Sequence, residues 1–150
     1  MNRKEFIVKC GLCTIGMPVL LSGCAGTRYL TAPIDGDSLI VPVQSFVKER
    51  ATPDPGDSAG AEFLKFIVVQ NDQLEYPICV YRFSETEYKA LLMKCTHQGT
   101  ELQVFGDRLQ CPAHGSEFSN TGAVRNGPAD TSLRTFNVSS MNDMIKIKLS

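Results

Sequence analysis

Two short runs, Cys95-Thr96-His97-Gln98-Gly99 and Cys111-Pro112-Ala113-His114-Gly115-Ser116, limit what this chain can fold into more than any other feature. Each pairs one thiol with one imidazole, as C-x-H and C-x2-H, and thirteen residues separate them. Gly106-Asp107, between them, is a turn-forming pair. A hairpin turning there carries the runs on its two strands and folds both loops toward a common point. Such a fold can present two thiols and two imidazoles together, a four-donor set for metal. Both histidines of the chain are used in this way, so no Ser-His-Asp set remains for nucleophilic catalysis.

Zinc fingers favour pairs of like ligands, C-x2-4-C with H-x3-5-H, whereas each run here supplies one sulfur and one nitrogen. A mononuclear zinc site is the alternative reading of the same residues. The mixed spacing resembles the Rieske [2Fe–2S] proteins, whose C-x-H and C-P-x-H-G-S loops match residue for residue, and the resemblance extends over about Phe63 to Leu149. It implies an antiparallel β-sandwich with an inserted two-loop cluster-binding subdomain, at about residues 95–130, and one [2Fe–2S] cluster per chain. In that family each loop gives a cysteine to one iron and a histidine to the other. Carried over, Cys95 and Cys111 would hold the inner iron, and His97 and His114 the outer one. Two neutral imidazoles in place of two thiolates make the oxidised cluster less negative, which favours taking up an electron and raises the potential.

The resemblance also assigns the surroundings. Ser116 matches the family serine whose hydroxyl donates to a bridging sulfide, and Gly127-Pro128-Ala129 resembles the proline-containing third loop that covers the cluster, although the same tripeptide also reads as a simple turn. High-potential, quinol-oxidising members have a further cysteine in each loop, joined in a disulfide, where this chain has Thr100 and Ala113; Phe118 stands where they have tyrosine. Those three departures point away from quinol oxidation. Cys79, alone in an apolar run, is expected to be a packed thiol, and Tyr76, Tyr81 and Tyr88 are expected to be sheet residues.

The rest of the chain is consistent with an all-β domain. Short apolar segments recur between turn residues: Leu39 to Val47, Phe63 to Gln70, Ile78 to Phe83, Tyr88 to Lys94, Leu102 to Phe105, Arg108 to Gln110, Leu133 to Val138 and Met144 to Leu149. The last alternates, with Ile145, Ile147 and Leu149 on one face and Met144, Lys146 and Lys148 on the other. Turns are expected at Asn71-Asp72, Gly106-Asp107, Thr121-Gly122, Asn126-Gly127-Pro128 and Asn142-Asp143, and a surface loop at Ala51 to Gly60. Ser84-Glu85-Thr86-Glu87 fits a helix-capping pattern but leads into alternation, so it reads as a turn entering a strand. With 15 basic and 16 acidic residues in 150, there is no cationic excess to neutralise phosphates, which excludes nucleic acid as the expected partner.

The first residues read as an address. Met1 to Cys24 runs from a short basic start through an apolar stretch, Leu12 to Leu21, too short to span a bilayer, to small residues. Leu21-Ser22-Gly23-Cys24 resembles the lipobox of bacterial lipoproteins, which implies acylation of Cys24 and removal of residues 1–23. Asn2 to Lys9 is similar to a twin-arginine export signal, with Lys4 in place of the second arginine. An uncleaved N-terminal helix is the alternative anchor. Loss of Arg3, Lys4, Glu5 and Lys9 would take the net charge from −1 to −3, and it would remove Cys10 and Cys13, whose C-x-x-C spacing is then a decoy. The expected organisation is a signal peptide at 1–23, a lipid-anchored tether at 24–37 and the cluster domain at 38–150, held on the periplasmic or outer side of a bacterial membrane. The expected function is one-electron transfer between redox partner proteins. The rivals are an iron–sulfur subunit of a larger oxidoreductase and a cluster-free module that keeps the fold.

Overall fold

The computed structural model describes residues 26–48 and 61–150; the leader, Cys24 and the loop expected at 51–60 lie outside the described residues. Twelve strands follow in chain order: β1 Tyr29–Thr31, β2 Ile34–Asp35, β3 Ser38–Pro42, β4 Phe66–Gln70, β5 Ile78–Arg82, β6 Tyr88–Leu92, β7 Gln103–Phe105, β8 Arg108–Gln110, β9 Glu117–Ser119, β10 Val124–Asn126, β11 Thr135–Met141 and β12 Met144–Lys148. Eight of them form one sheet in the order β1-β4-β5-β6-β11-β12-β3-β2, and four form a second, β10-β9-β8-β7. The small sheet lies, in sequence, between β6 and β11. All pairings are antiparallel except β1 with β4.

The eight-stranded sheet curls until its edges approach. Its two edge strands, β1 and β2, are neighbours in sequence, and Ala32 and Pro33 span the gap between them. Ala32 donates its amide to Gln70 at 3.1 Å, and Pro33 accepts from Ile40 at 3.0 Å. The inner face follows from period-two alternation. Ile67, Val69, Ile78, Val80 and Ala90 from one half meet Leu39, Val41, Ile145 and Ile147 from the other, and each has no exposed surface. On the outer face of β4, β5 and β6, Val68, Cys79, Tyr81 and Leu91 pack against Leu109 and Phe118 of the small sheet. Each large side chain removed from water here contributes on the order of 2 kcal/mol.

Of residues 24–37, expected as a tether, Tyr29–Thr31 and Ile34–Asp35 are strands of the large sheet, so the folded domain begins before residue 38. Leu39 to Val47 is a strand only as far as Pro42; Val43–Phe46 turns into a 3-10 helix that buries Phe46. Leu133, expected to begin a strand, donates its amide to Gly122 at 2.8 Å instead, and β11 starts at Thr135. The Ser84 hydroxyl accepts the amides of Thr86 and Glu87, at 3.3 and 3.0 Å, and closes the expected turn. The β11–β12 hairpin turns through Asn142 and Asp143, both left-handed at φ 52° and 60°, residue types that tolerate that conformation.

Cys79 has no exposed surface. Burial pushes its thiol well above the ordinary thiol range. Cys79 is therefore expected to resist alkylation by iodoacetamide in the folded protein and to react fully in guanidinium, as mass spectrometry would record; rapid native labelling would show that this core opens.

Candidate metal centre

The two Cys/His runs become two loops of nearly the same shape. In the first, the Cys95 amide donates to the Thr100 carbonyl at 2.8 Å, and the Gly99 amide donates back to the Cys95 carbonyl at 2.8 Å. In the second, Cys111 donates to Ser116 at 2.8 Å and Gly115 to Cys111 at 3.0 Å. Gly99 and Gly115 close these turns at φ 76° and 77°, a region closed to most side chains by the clash of Cβ with the backbone. Each loop springs from paired backbone: Lys94 bridges Glu101 below the first, and Gln110 pairs with Glu117 below the second. The small hairpin β7–β8 joins them through Gly106-Asp107, as the turn residues require.

This frame sorts the donors by depth. Cys95 and Cys111 are each 2% exposed and point into the core formed with Leu109 and Phe118, whereas His97 and His114 are exposed. The two imidazole rings lie edge to face with centroids 5.2 Å apart. Among the described residues no three His, Cys, Asp or Glu side chains converge on a point suited to one ion; the donors stand as a pair of thiols and a pair of imidazoles. Burial opposes ionisation of Cys111, but its sulfur faces the amides of His114 and Ala113, the Cys95 thiol and the Thr100 hydroxyl, which together hold it below the usual thiol range. Donors aimed at one sulfur are what a thiolate ligand needs, so the residues present fit a thiolate-bound centre.

The third loop ties both others down. Ser116 has no exposed surface, and its Oγ accepts the Ala129 amide at 3.0 Å. Thr96 donates its hydroxyl to the Thr131 carbonyl at 2.6 Å. Segment 127–131 therefore grips the second loop with one end and the first with the other, so it is more than the simple turn that its composition also allowed. Cys95 and Cys111 are free thiols, and Thr100, where quinol-oxidising members carry a disulfide cysteine, instead offers its hydroxyl to Cys111. Phe118 is fully buried beneath the second loop, and Ala113 is exposed on it.

Tyr76 does more than the sequence suggested. It lies before β5, donates its hydroxyl to the Gly99 carbonyl at 2.7 Å and carries the Lys94 ammonium 4.8 Å from its ring centroid. Tyr81 and Tyr88 are strand residues as expected, and Tyr81 also reaches the Gly106 carbonyl at 3.0 Å, pinning the hairpin tip to the large sheet. Beside His97 a cleft of about 560 Å³ opens between Tyr76, Lys94, Thr131 and Arg134.

Fold and site together define a class: a small β-domain whose inserted sheet offers two matched loops, thiols inward and imidazoles outward, to a metal group. A model of the Rieske [2Fe-2S] domain matches residues 60–137, and the chain belongs to this family, whose domains bind one [2Fe–2S] cluster and transfer electrons through it. The cytochrome b6-f complex iron-sulfur subunit of Desmonostoc sp. is 31% identical over 111 residues, covering 70% of this chain and 54% of that protein. The plasma membrane Rieske protein of Synechocystis is 28% identical over 56% of this chain and 86% of that chain, with a TM-score of 0.49. Naphthalene 1,2-dioxygenase shares the fold, with a TM-score of 0.53 at 18% identity, over 75% of this chain and 26% of that one. The chain spans 30% to 54% of the length of the curated relatives it matches.

Proposed function

We propose that this protein is a membrane-tethered one-electron carrier, in which Cys95 and Cys111 hold the inner iron of the cluster and His97 and His114 the outer iron. The observation that carries the reading is the depth sorting of the four donors by two matched loops. The cluster, when bound, supplies a one-electron couple whose potential is set by ligand charge and hydrogen bonding. The chain supplies the rest. The buried thiols keep solvent from one side of the centre, and the exposed imidazoles bring the other side to the surface where a partner can meet it. Ser116, Thr100 and the amides of Ala113 and His114 supply donors that stabilise negative sulfur.

A lipid anchor at Cys24 and a location on the outer side of a bacterial membrane complete the reading; the lipobox-like Leu21-Ser22-Gly23-Cys24 supports them. The second reading, an iron–sulfur subunit of a larger oxidoreductase, is favoured by the naming of the b6-f relatives as subunits of a complex. Copurification of a catalytic subunit would select it. Thr100, Ala113 and Phe118 speak against a quinol-oxidising member.

The test of the cluster is compositional and spectroscopic. Protein purified aerobically is expected to hold about two iron and about two acid-labile sulfide per chain, and after dithionite to give an EPR signal with an average g below that of an all-cysteine cluster. Stoichiometric zinc with no iron after reconstitution would overturn the assignment.

A further inference from the structure

The end of the curled sheet remote from the Cys/His loops gathers exposed apolar side chains. Among the described residues six large hydrophobic side chains are exposed: Tyr29, Phe63, Phe83, Phe105, Met141 and Met144. None belongs to the two loops. Phe83 follows β5 at the end where Arg82 pairs with Tyr88, the start of β6, and the loops follow the opposite end of β6. Met141 and Met144 cap the β11–β12 hairpin, whose paired strands run away from Leu91 and Thr135 toward that same end. Five-residue strands keep the two ends about 15 Å apart.

The chain also enters at this end. Gly26 lines a depression with Phe63 and Phe66. Arg28 donates to the carbonyls of Ser45 at 3.0 Å and Val47 at 2.8 Å, while Val43 donates to Asp143 at 2.8 Å, so the entry, the 3-10 helix and the methionine hairpin are bound together. Only Ala25 separates Cys24 from Gly26, and two residue steps reach about 7 Å at full extension. We propose that this end of the domain, with Phe83, Met141 and Met144, rests on the lipid surface, and that the Cys/His loops therefore face away from the membrane. The inference rests on the tether reading above. Among the described residues Lys48 pairs with Glu62 at 3.0 Å, and Glu85, Glu87 and Asp143 are exposed on the same end, so the contact rests on the apolar side chains and does not call for anionic lipid. An apolar surface in such a position sinks about 5–10 Å into the headgroup boundary. The redox partner then approaches from the aqueous side, which sets this arrangement apart from one that reaches a substrate dissolved in the bilayer.

The chain has no tryptophan, so one introduced residue reports alone. Full-length protein carrying Met141→Trp, Phe83→Trp or, at the far end, Gln73→Trp is purified from membranes and reconstituted into phosphatidylcholine vesicles, with or without bromine near the top of the acyl chains. In brominated vesicles the first two are expected to lose about half of their emission and to shift to the blue, while the tryptophan at 73 is unchanged. Equal quenching at all three sites, or quenching at 73 alone, overturns the orientation while leaving the tether standing. A chain that does not float with the vesicles, with Cys24→Ala as the soluble reference, overturns the tether and the orientation together. Unaltered EPR of each variant shows that the site has not been disturbed.

Discussion

Changing His114 to cysteine is expected to leave a cluster in place and to lower its midpoint potential, on the order of 100–200 mV. The reason is charge. A neutral imidazole becomes an anionic thiolate, so the oxidised centre gains one negative charge and resists the electron more strongly. All-cysteine clusters of the plant type lie near roughly −400 mV, against roughly −150 to +300 mV for the mixed-ligand kind, and one replacement should cover part of that interval. His114 is exposed on a loop closed by its own backbone hydrogen bonds, so the exchange disturbs little packing. Voltammetry of the purified variant decides the matter: a potential unchanged or raised would mean that His114 does not bind the metal.

Ser116→Ala should produce the second large effect, in two separable readouts. The Ser116 hydroxyl accepts the Ala129 amide at 3.0 Å, which leaves its own proton free to donate. Alanine abandons a buried amide, at a cost of about 1–3 kcal/mol, and a domain of this size should melt roughly 5–10 °C lower. It also removes a donor that stabilises the more negative, reduced centre, so the potential should fall as well. Phe118→Tyr should move the potential upward by adding a donor, and the wild-type midpoint is expected in the lower half of the roughly −150 to +300 mV range. A variant of Ser116 that melts early but keeps its potential would confine the residue to holding the third loop.

Much of this was legible in the residues because it is local. Gly106-Asp107 marks the hairpin, the alternation from Met144 marks β12, and the spacing of Cys95, His97, Cys111 and His114 marks the two loops. What escaped has a physical reason. Strands β1, β2, β9 and β10 are two or three residues long, too short for a period to show. Val43 and Phe46 carry strand-like side chains, yet they turn into a 3-10 helix where the backbone must pass from β3 toward the sheet's open end. Ser139 and Ser140 look like loop, but β12 supplies them with partners at Lys146 and Ile145. The bond from Tyr76 to Gly99 spans 23 residues and that from Thr96 to Thr131 spans 35, and no local pattern announces either.

The passage of the chain from one edge of the large sheet to the other, through Ala32 and Pro33, has a mechanical consequence. A pull on the N-terminus, such as a membrane anchor would exert against a docked partner, enters along β1, which lies parallel to β4 and is registered with it at Val68, Val69 and Gln70. That load runs along the strand axis, so the hydrogen bonds of the pair share it in shear and do not open one after another. Beyond β1 the same chain becomes β2, paired to β3 on the opposite edge. Tension at the entry therefore draws the two edges of the sheet together, and the seam that looks weakest in outline tightens under force.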